Sequence, residues 1–558
     1  MDKARGFVLS ILVGVLIACN GNNNPIVDPV DKTPPTLIST LPAANANNVD
    51  LESPITASFS ENIDPSTVGA NVSLKQVGSN QNITVSPNLN MDTITVGHPA
   101  LSLRTTYQAS LGNSLKDLAG NAFGGATWDF TTRDGVWHNN HQIDNPTLSG
   151  QGPQLAMAAD GSAMAVWVSF PSALSSFVWA NHYTPLTGWG TPQQVETQTP
   201  KYRSSARVVV DDFGNAIAVW EQSDAVAGRH DILASRYTPA NGWGAPEAIE
   251  TEEVRNAVNP VIAMNSSGNA IAAWAQNDGT RANVWANVYA PSTGWGIPKL
   301  IETNDTGNAN SPRVVIDSSG TAHVIWLQGA GSINPSIWGN LYRPGTGWDV
   351  GFPLENETAA AANPSLGFNS SGNVMMVWDQ IEEKVISPNQ TIGYWHVWVN
   401  MYTPSTGWGV AGRIPALNSD EGYSGQARVA LDAKGNAIAV WLQNNGIQTN
   451  YDVWANRFKF GEGWGTPILL ETLFANNIAP QVAVDLAGNA LAVWTDQNGR
   501  LLFNRYLADS GWGTAKGVQE SNPQNTILNS HQIAMNSVGN ALAVYLQFGP
   551  HVWASEFK

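Results

Sequence analysis

From residue 135 to the end of the chain, apolar residues recur at every second position in short runs separated by Gly, Asn, Asp and Pro. Period-two alternation between such breakers is the pattern of half-buried strands joined by tight turns. One run recurs almost verbatim: G-N-A-I-A-V-W at Gly214–Trp220, with close copies at Gly268–Trp274, Gly435–Trp441, Gly488–Trp494 and Gly539–Tyr545. Looser copies lie at Gly161–Trp167, Gly320–Trp326 and Gly372–Trp378. Measured between terminal aromatics, the eight copies are spaced by 53, 54, 52, 52, 63, 53 and 51 residues. A fixed period of this size predicts a repeat architecture.

Each repeat reads as four strands. Nine positions before the aromatic stands Asp or Asn (Asp211, Asn265, Asp317, Asn369, Asp432, Asp485, Asn536), with Ala158 as the departure in the first copy. An Asp/Asn–x–x–Gly–Asn segment between two apolar runs is hairpin chemistry, because the side chain caps the turn and Gly takes the positive φ. The run before it is strand a and the G-N-A-I-A-V-W run is strand b. Strand c follows, as in Val284–Tyr289 and Val453–Phe458. Strand d opens with Gly-Trp and carries an aliphatic six residues after that Trp: Val195, Ile249, Ile301, Leu354, Ile414, Leu470 and Val518. Four strands in about 53 residues is the content of a propeller blade. The eighth repeat stops after strand c, whereas Gly135-Val136-Trp137, with Ile143 six residues after its Trp, has no other strands of its own. Residues 135–145 are therefore expected to dock beside 551–557 and close a ring of eight blades without free edges.

The stretch 33–132 alternates differently. Segments such as Ile55–Ser60, Val72–Gln76, Ile83–Ser86, Thr93–Val96 and Tyr107–Leu111 predict a separate small sandwich. Its opening, Ser53-Pro54-Ile55-Thr56-Ala57-Ser58-Phe59-Ser60-Glu61-Asn62-Ile63-Asp64-Pro65, resembles the SbsA-type bacterial Ig-like domain. So does its close, Leu115-Lys116-Asp117-Leu118-Ala119-Gly120-Asn121-Ala122 followed by Trp128-Asp129-Phe130-Thr131-Thr132. The resemblance implies a spacer or presentation module on a cell surface, without catalytic residues. Asp117 and Asn121 read as a tight turn before the last strand, with a calcium loop as the alternative. The fold class expected for the whole chain is thus all-β: an Ig-like β-sandwich over 33–132, then a β-propeller over 135–558.

Composition adds location. Charged residues make up only 13% of the 558, Gly numbers 52 and Trp 23, a balance that argues for a large β-rich fold and against disorder. The net charge of −17 disfavours nucleic acid and anionic membrane surfaces as partners. The sole cysteine, Cys19, excludes an intrachain disulfide. It follows a basic start (Lys3, Arg5) and a short apolar run, Phe7–Ala18, too short to span a bilayer but suited to a signal peptide. Leu16-Ile17-Ala18-Cys19 resembles a bacterial lipobox. That resemblance implies a signal peptide over 1–18, cleavage before Cys19 and lipidation of Cys19, with Asn20 leaning towards the outer membrane. An ordinary signal peptide with an incidental cysteine is the alternative. Residues 19–32, rich in Asn and Pro, read as a tether. The expected partner is thus the membrane, through the lipid. Whether the protein faces outward or into the periplasm stays open, and a monomer is expected.

The candidate chemistry is sparse. Seven Trp fall on strand b, six on strand c and eight on strand d. They read as packing between blades, with sugar-stacking platforms as the alternative. The strand-c Asn set (Asn181, Asn287, Asn340, Asn400, Asn456, Asn504) reads as backbone hydrogen bonding between strands. Two residues after the strand-b Trp stands Gln222, Gln276, Gln328, Gln380 or Gln443, and Gln547 follows Tyr545 likewise. These Gln lie where strand b leaves the sheet, and they are either structural or ligand-binding. The b–c and d–a connections share one end of every repeat and vary in length, the longest being Asp379–His396. Binding residues concentrate on such loops, so this face, with Arg229 and Arg281, is the candidate site. There is no S-x-D-x-G-x-x-W box, G-x-S-x-G elbow, P-loop or metal-spaced His pair, so neither a catalytic set, a metal nor a cofactor is expected. The expectation is a surface-anchored, non-catalytic binding or adhesion module for a glycan or surface protein. A glycan-processing hydrolase and a periplasm-facing envelope scaffold are the alternatives.

Overall fold

The computed structural model describes residues 31–558 except 79–81, 139, 173–174, 197–201, 224–228, 251–255, 305–306, 331–333, 356–358, 388–389, 416–422, 445–449, 472–475, 519–526 and 548. The signal-peptide run and Cys19 lie outside the described residues. The chain divides into two compact units, 1–133 and 134–558. Among the described residues no helix is long and apolar enough to cross a membrane.

The first unit is two facing sheets. One orders Leu37–Leu41, Ile55–Phe59, Thr93–Gly97 and Ser86–Asn90. The other orders Ala46–Val49, Ala126–Thr132, Thr106–Leu111, Val72–Gln76 and Asn82–Ile83, its first pair parallel. Alternating inward residues, among them Ile55, Phe59, Ile94, Tyr107 and Phe130, form a single core. The segment expected as one strand over Ile83–Ser86 is instead a crossing point: Asn82–Ile83 and Ser86–Asn90 belong to different sheets. Asp117 forms a tight turn, its carboxylate accepting from the Asn121 backbone N–H (2.8 Å) and Nδ2 (2.7 Å).

The second unit repeats one antiparallel sheet in the order a-b-c-d. Repeat 2 is representative: Tyr202–Val210, Ala216–Ser223, His230–Thr238, and Gly242–Trp243 with Glu247–Ala248. The a–b hairpin follows from its residues. Asp211 Oδ1 accepts from the Phe213 and Asn215 N–H groups, and Gly214 sits at φ 75°, where a side chain is strained. Strand d is not continuous. The Gly-Trp pair and the later pair both bond strand c, and the residues between them leave the ladder. In repeat 2 these include Pro246, which has no N–H to donate, while repeats 4, 5 and 7 break at the same place without a proline.

Strand b is the buried centre. Trp167, Trp220, Trp274, Trp326, Trp378, Trp441, Trp494 and Tyr545 are at most 1% exposed. Each packs against the repeat before it, in an apolar cluster that joins the two sheets, as Trp220 does with Met164, Val166 and Val178. Burying about 200 Å² at about 25 cal/mol/Å² is worth roughly 5 kcal/mol per ring before entropy is charged. Strand-c and strand-d Trp are only half-buried.

The ends and the longest connection differ from the other repeats, the first as expected and the second not. Strand c of the last repeat, His551–Phe557, takes His141–Gln142 as its outer neighbour. Val136 N–H donates to Lys558 O (3.1 Å), His138 N–H to Glu556 O (2.7 Å) and Ile143 N–H to Val552 O (2.9 Å). Trp167 of repeat 1 packs with Val544, Val552 and Ile143. The stretch Asp379–His396, expected as a loop, is mostly sheet. Strands Val374–Ser387 and Gln390–Thr403 stay paired far beyond their counterparts, because Ile381, Val385, Ile392 and Tyr394 are β-formers in paired positions.

Candidate functional site

The recurring polar residues are engaged within the protein. Gln276, Gln328, Gln380 and Gln443 are buried, and each Oε1 accepts from the indole Nε1 of the Trp two residues earlier, at 2.9, 2.8, 2.7 and 2.9 Å. Gln328 and Gln380 also donate to Asn304 O (2.8 Å) and Ala359 O (2.7 Å) in the connections leading to strand a. Gln547 accepts from Asn140 Nδ2 at 3.3 Å. Gln222 is buried as well. Two residues apart on one strand face the same way, which is why Trp and Gln meet.

The strand-c Asn set bridges successive repeats. Asn287 Nδ2 donates to Ile249 O of the preceding repeat (2.9 Å) and to Gly296 O of its own (3.1 Å). Asn340 and Asn504 do the same to Ile301 and Leu470, and Asn400 reaches Leu354 O.

At the end bearing the b–c and d–a connections, Arg229 and Arg281 are already engaged. Arg229 holds Asp231 (Nε–Oδ1 2.8 Å), and Arg281 Nε donates to Asn283 Oδ1 (3.2 Å). The Asp278 carboxyl beside Arg281 is held well below its usual range, first by the Thr280 hydroxyl. His230 Nδ1 lies 2.6 Å from Glu221 Oε1. The long hairpin of repeat 5 flanks an open cleft of about 650 Å³ lined by Asn334, Ile381, Glu382, Glu383, Trp398 and Arg413. There Trp398 Nε1 donates to Glu382 Oε1 (2.9 Å), and Arg413 Nη1 donates to Glu382 Oε2 (3.4 Å). A half-buried aromatic, a carboxylate and a guanidinium converge in one depression.

Two strand-b acids have a structural use. Burial raises the Asp379 carboxyl against the lowering effect of its hydrogen bonds. Its Oδ2 accepts from Asn363 Nδ2 (2.7 Å) and Gln426 N–H (3.0 Å). Glu221 Oε2 accepts from Asn259 N–H (3.3 Å). Asn363, Gln426 and Asn259 all have positive φ, near 50–56°, so both acids clamp a strained position of strand a in their own or the next repeat.

That strain marks what the sequence reading missed. Strand a of every repeat carries a bulge, and in seven repeats a positive-φ residue sits in it: Gly152, Ser205, Asn259, Ser311, Asn363, Gln426 and Ala479. A bulge re-aims the side chains that follow. Two residues later stand Gln154, Arg207, Val261, Arg313, Ser365, Arg428 and Gln481. The three arginines are half-buried. Each donates Nη1 to the carbonyl of its own preceding residue, at 3.0, 2.9 and 2.9 Å. Among the described residues no carboxylate forms an ion pair with them. Counting thirteen residues back from the strand-b Trp retrieves this set from the sequence.

In the first unit, carboxylate oxygens of Asp31, Glu61 and Asp117 lie within 4.8 Å of one another. Glu61 is pushed up by desolvation and by its two acidic neighbours. The three are far apart in sequence.

No curated protein matches the chain. Among solved structures, a protein of unknown function from Bacteroides thetaiotaomicron is 12% identical, with a TM-score of 0.42 over 95% of this chain and 99% of its own. An ulvan lyase is 10% identical, with a TM-score of 0.41 over 61% of this chain and 88% of its own. A Hadza microbial sialidase is 11% identical, with a TM-score of 0.33 over 72% and 93%. Similarity this low carries no functional argument. Residues 31–132 match the bacterial Ig-like domain family.

Proposed function

We propose that this chain is a lipid-anchored bacterial envelope protein whose residues 135–558 form a closed eight-bladed propeller that binds a glycan without turning it over. The cleft beside the long hairpin of repeat 5 carries the binding reading. Trp398 offers an aromatic face, while Glu382 and Arg413 offer acceptors and donors at its rim, the combination suited to a sugar ring with hydroxyls at its edge. Closure is supported by the pairing of His141–Gln142 with strand c of the last repeat and by the apolar cluster joining repeats 8 and 1. Anchoring rests on Cys19 at the end of the apolar run, and envelope location follows from it. The recurring Gln and Asn serve the scaffold in this reading, and the variable end serves the ligand.

A glycan array probed with soluble protein (residues 20–558) tests it. Binding that is lost in Trp398→Ala and kept in Trp285→Ala, a strand-c Trp away from the cleft, is the expected result. A protein partner captured in place of any glycan would favour the scaffold reading. Sustained release of sugar from a bound glycan would replace the binding reading with that of a hydrolase.

A further inference from the structure

We propose that Arg207, Arg313 and Arg428 together form a binding site for a doubly charged tetrahedral oxyanion, phosphate or sulfate, on the axis of the repeat unit. The inference lies outside the cleft of repeat 5, and it rests on the closed-ring reading, since only a ring brings alternate repeats face to face.

Three observations carry it. First, strand a is the free edge of every sheet and packs against strand a of the next repeat, from repeat 1 through repeat 8 and back to repeat 1. Residues at one register on these strands therefore form one tier around the axis. Second, Arg207, Arg313 and Arg428 hold equivalent registers, each paired with the residue just before the strand-b Trp: Val219, Ile325 and Val440. They occupy repeats 2, 4 and 6, and Gln532 holds the position in repeat 8, opposite Val544. The odd repeats place Gln154, Val261, Ser365 and Gln481 there, uncharged residues without a guanidinium's reach. From repeat 2 to repeat 6 cations thus alternate with shorter side chains, and repeats 7, 8 and 1 complete the tier with Gln481, Gln532 and Gln154.

Third, the arginines lack the partners that would explain them structurally. One Nη1 of each is spent on a local carbonyl, and the rest of each guanidinium has no hydrogen-bond partner among the described residues. Among the described residues, Asp379 is the acid whose charge reaches Arg428. Its Oδ2 is committed to Asn363 and Gln426, its Oδ1 is buried without a partner, and neither oxygen forms an ion pair with Arg428. Arg313 feels both other guanidiniums: burial first, then Arg428 and Arg207, lower it to about 10 from the ordinary 12.5. Arg207 and Arg428 oppose the charge of Arg313, so the three cations repel one another in the free protein. An oxyanion that accepts from several guanidinium N–H groups at once reverses that repulsion. Tetrahedral oxygens suit three donors arriving from different sides, whereas a planar carboxylate suits one or two.

Calorimetric titration of soluble protein (residues 20–558) with inorganic phosphate and with sulfate, against sodium chloride at matched ionic strength, tests the site. Saturable phosphate or sulfate binding is expected, weakened at least tenfold in Arg313→Gln. Melting in the absence of the anion should be unchanged or raised in that variant, because a like-charge contact is removed. A structural role would lower it instead. Glucose 6-phosphate as a third titrant distinguishes a free ion from an ester group: tighter binding than phosphate assigns the site to an ester, weaker binding to the free ion. Heats no different from the chloride control, or binding that survives in Arg207→Gln, Arg313→Gln and Arg428→Gln alike, overturns the proposal. Failure of the closed ring is read separately, from the stability of Asn181→Ala described below. If that substitution costs stability while phosphate does not bind, only the anion site is wrong.

Discussion

Asn181 donates its side-chain amide to the backbone carbonyl of Ile143, 2.9 Å away, and to Gly190 O at 3.1 Å. This is the bridge that Asn287 makes to Ile249 and Gly296, with one difference. Ile249 belongs to the repeat immediately before Asn287, while Ile143 belongs to the N-terminal segment paired with the last strand. The same contact that joins neighbouring repeats therefore joins the first repeat to the last. Asn181→Ala and Asn287→Ala should each cost about 1–3 kcal/mol, since each leaves buried carbonyls short of a donor. Chemical denaturation of both variants checks this. A cost for Asn287→Ala alone would mean that the seam at Ile143 is not formed in solution.

The Trp–Gln pairs make a second, independent claim. Gln380→Leu fills similar volume but strands Trp378 Nε1 in a wholly buried position. The expected loss is about 1–3 kcal/mol, with ligand binding at the repeat-5 cleft unchanged once the variant is folded. A variant of wild-type stability that no longer binds would return Gln380 to the ligand site.

How far the sequence is legible depends on which force sets each feature. The hairpins could be read because Asp211 and Gly214 perform local chemistry, capping and positive φ, within five residues. The outer strand of the last repeat could be read because a Gly-Trp lacked its repeat and a repeat lacked its Gly-Trp. The extended hairpin reads as a loop because charges at Glu382, Glu383 and Lys384 hide a β pattern on a ribbon whose outer residues are exposed or half-buried. The Asp31–Glu61–Asp117 cluster is assembled by tertiary contacts, which no local window contains. The arginine tier is hidden for another reason. Strand-a bulges shift the side-chain phase, so Arg207, Arg313 and Arg428 read as polar ends of strands until they are aligned across repeats.

The buried pair Glu196–Arg203 bounds the connection between repeats 1 and 2. Arg203 Nε meets Glu196 Oε1 at 2.8 Å, Nη2 donates to Oε2 at 2.8 Å, and Nη1 donates to Ser176 O at 2.7 Å, with both side chains at most 1% exposed. Burial lowers the Arg203 pKa and the Glu196 charge opposes that. Arg203→Met leaves an uncompensated carboxylate and should cost about 3–5 kcal/mol. Glu196→Leu combined with Arg203→Met should recover most of it, because no charge then stays buried. A denaturant series on the single and double variants measures both, and a double variant as unstable as the single would place the cost in lost packing on Phe177.

Acid sensitivity should be traceable to single histidines. His323 is buried between Tyr402 and Trp408, with ring centroids 4.3 and 5.6 Å away. Burial first, and Arg343 second, lower its pKa to about 3 from 6.5. The unfolded chain therefore takes up a proton that the native state refuses. Stability from this group is complete above the unfolded pKa and is lost as pH falls from about 6.5 towards 3, by at most about 1.4 kcal/mol per pH unit. His531, lowered to about 4 by burial, acts in the same direction. Asp144, Asp379 and Asp485, raised by burial, act in the opposite one, so the total profile is flatter than either set alone. The difference between wild type and His323→Phe isolates the one residue: it should favour the variant increasingly below pH 6.5 and level off near pH 3. Parallel stability profiles across that range would mean that His323 is protonated in the folded protein.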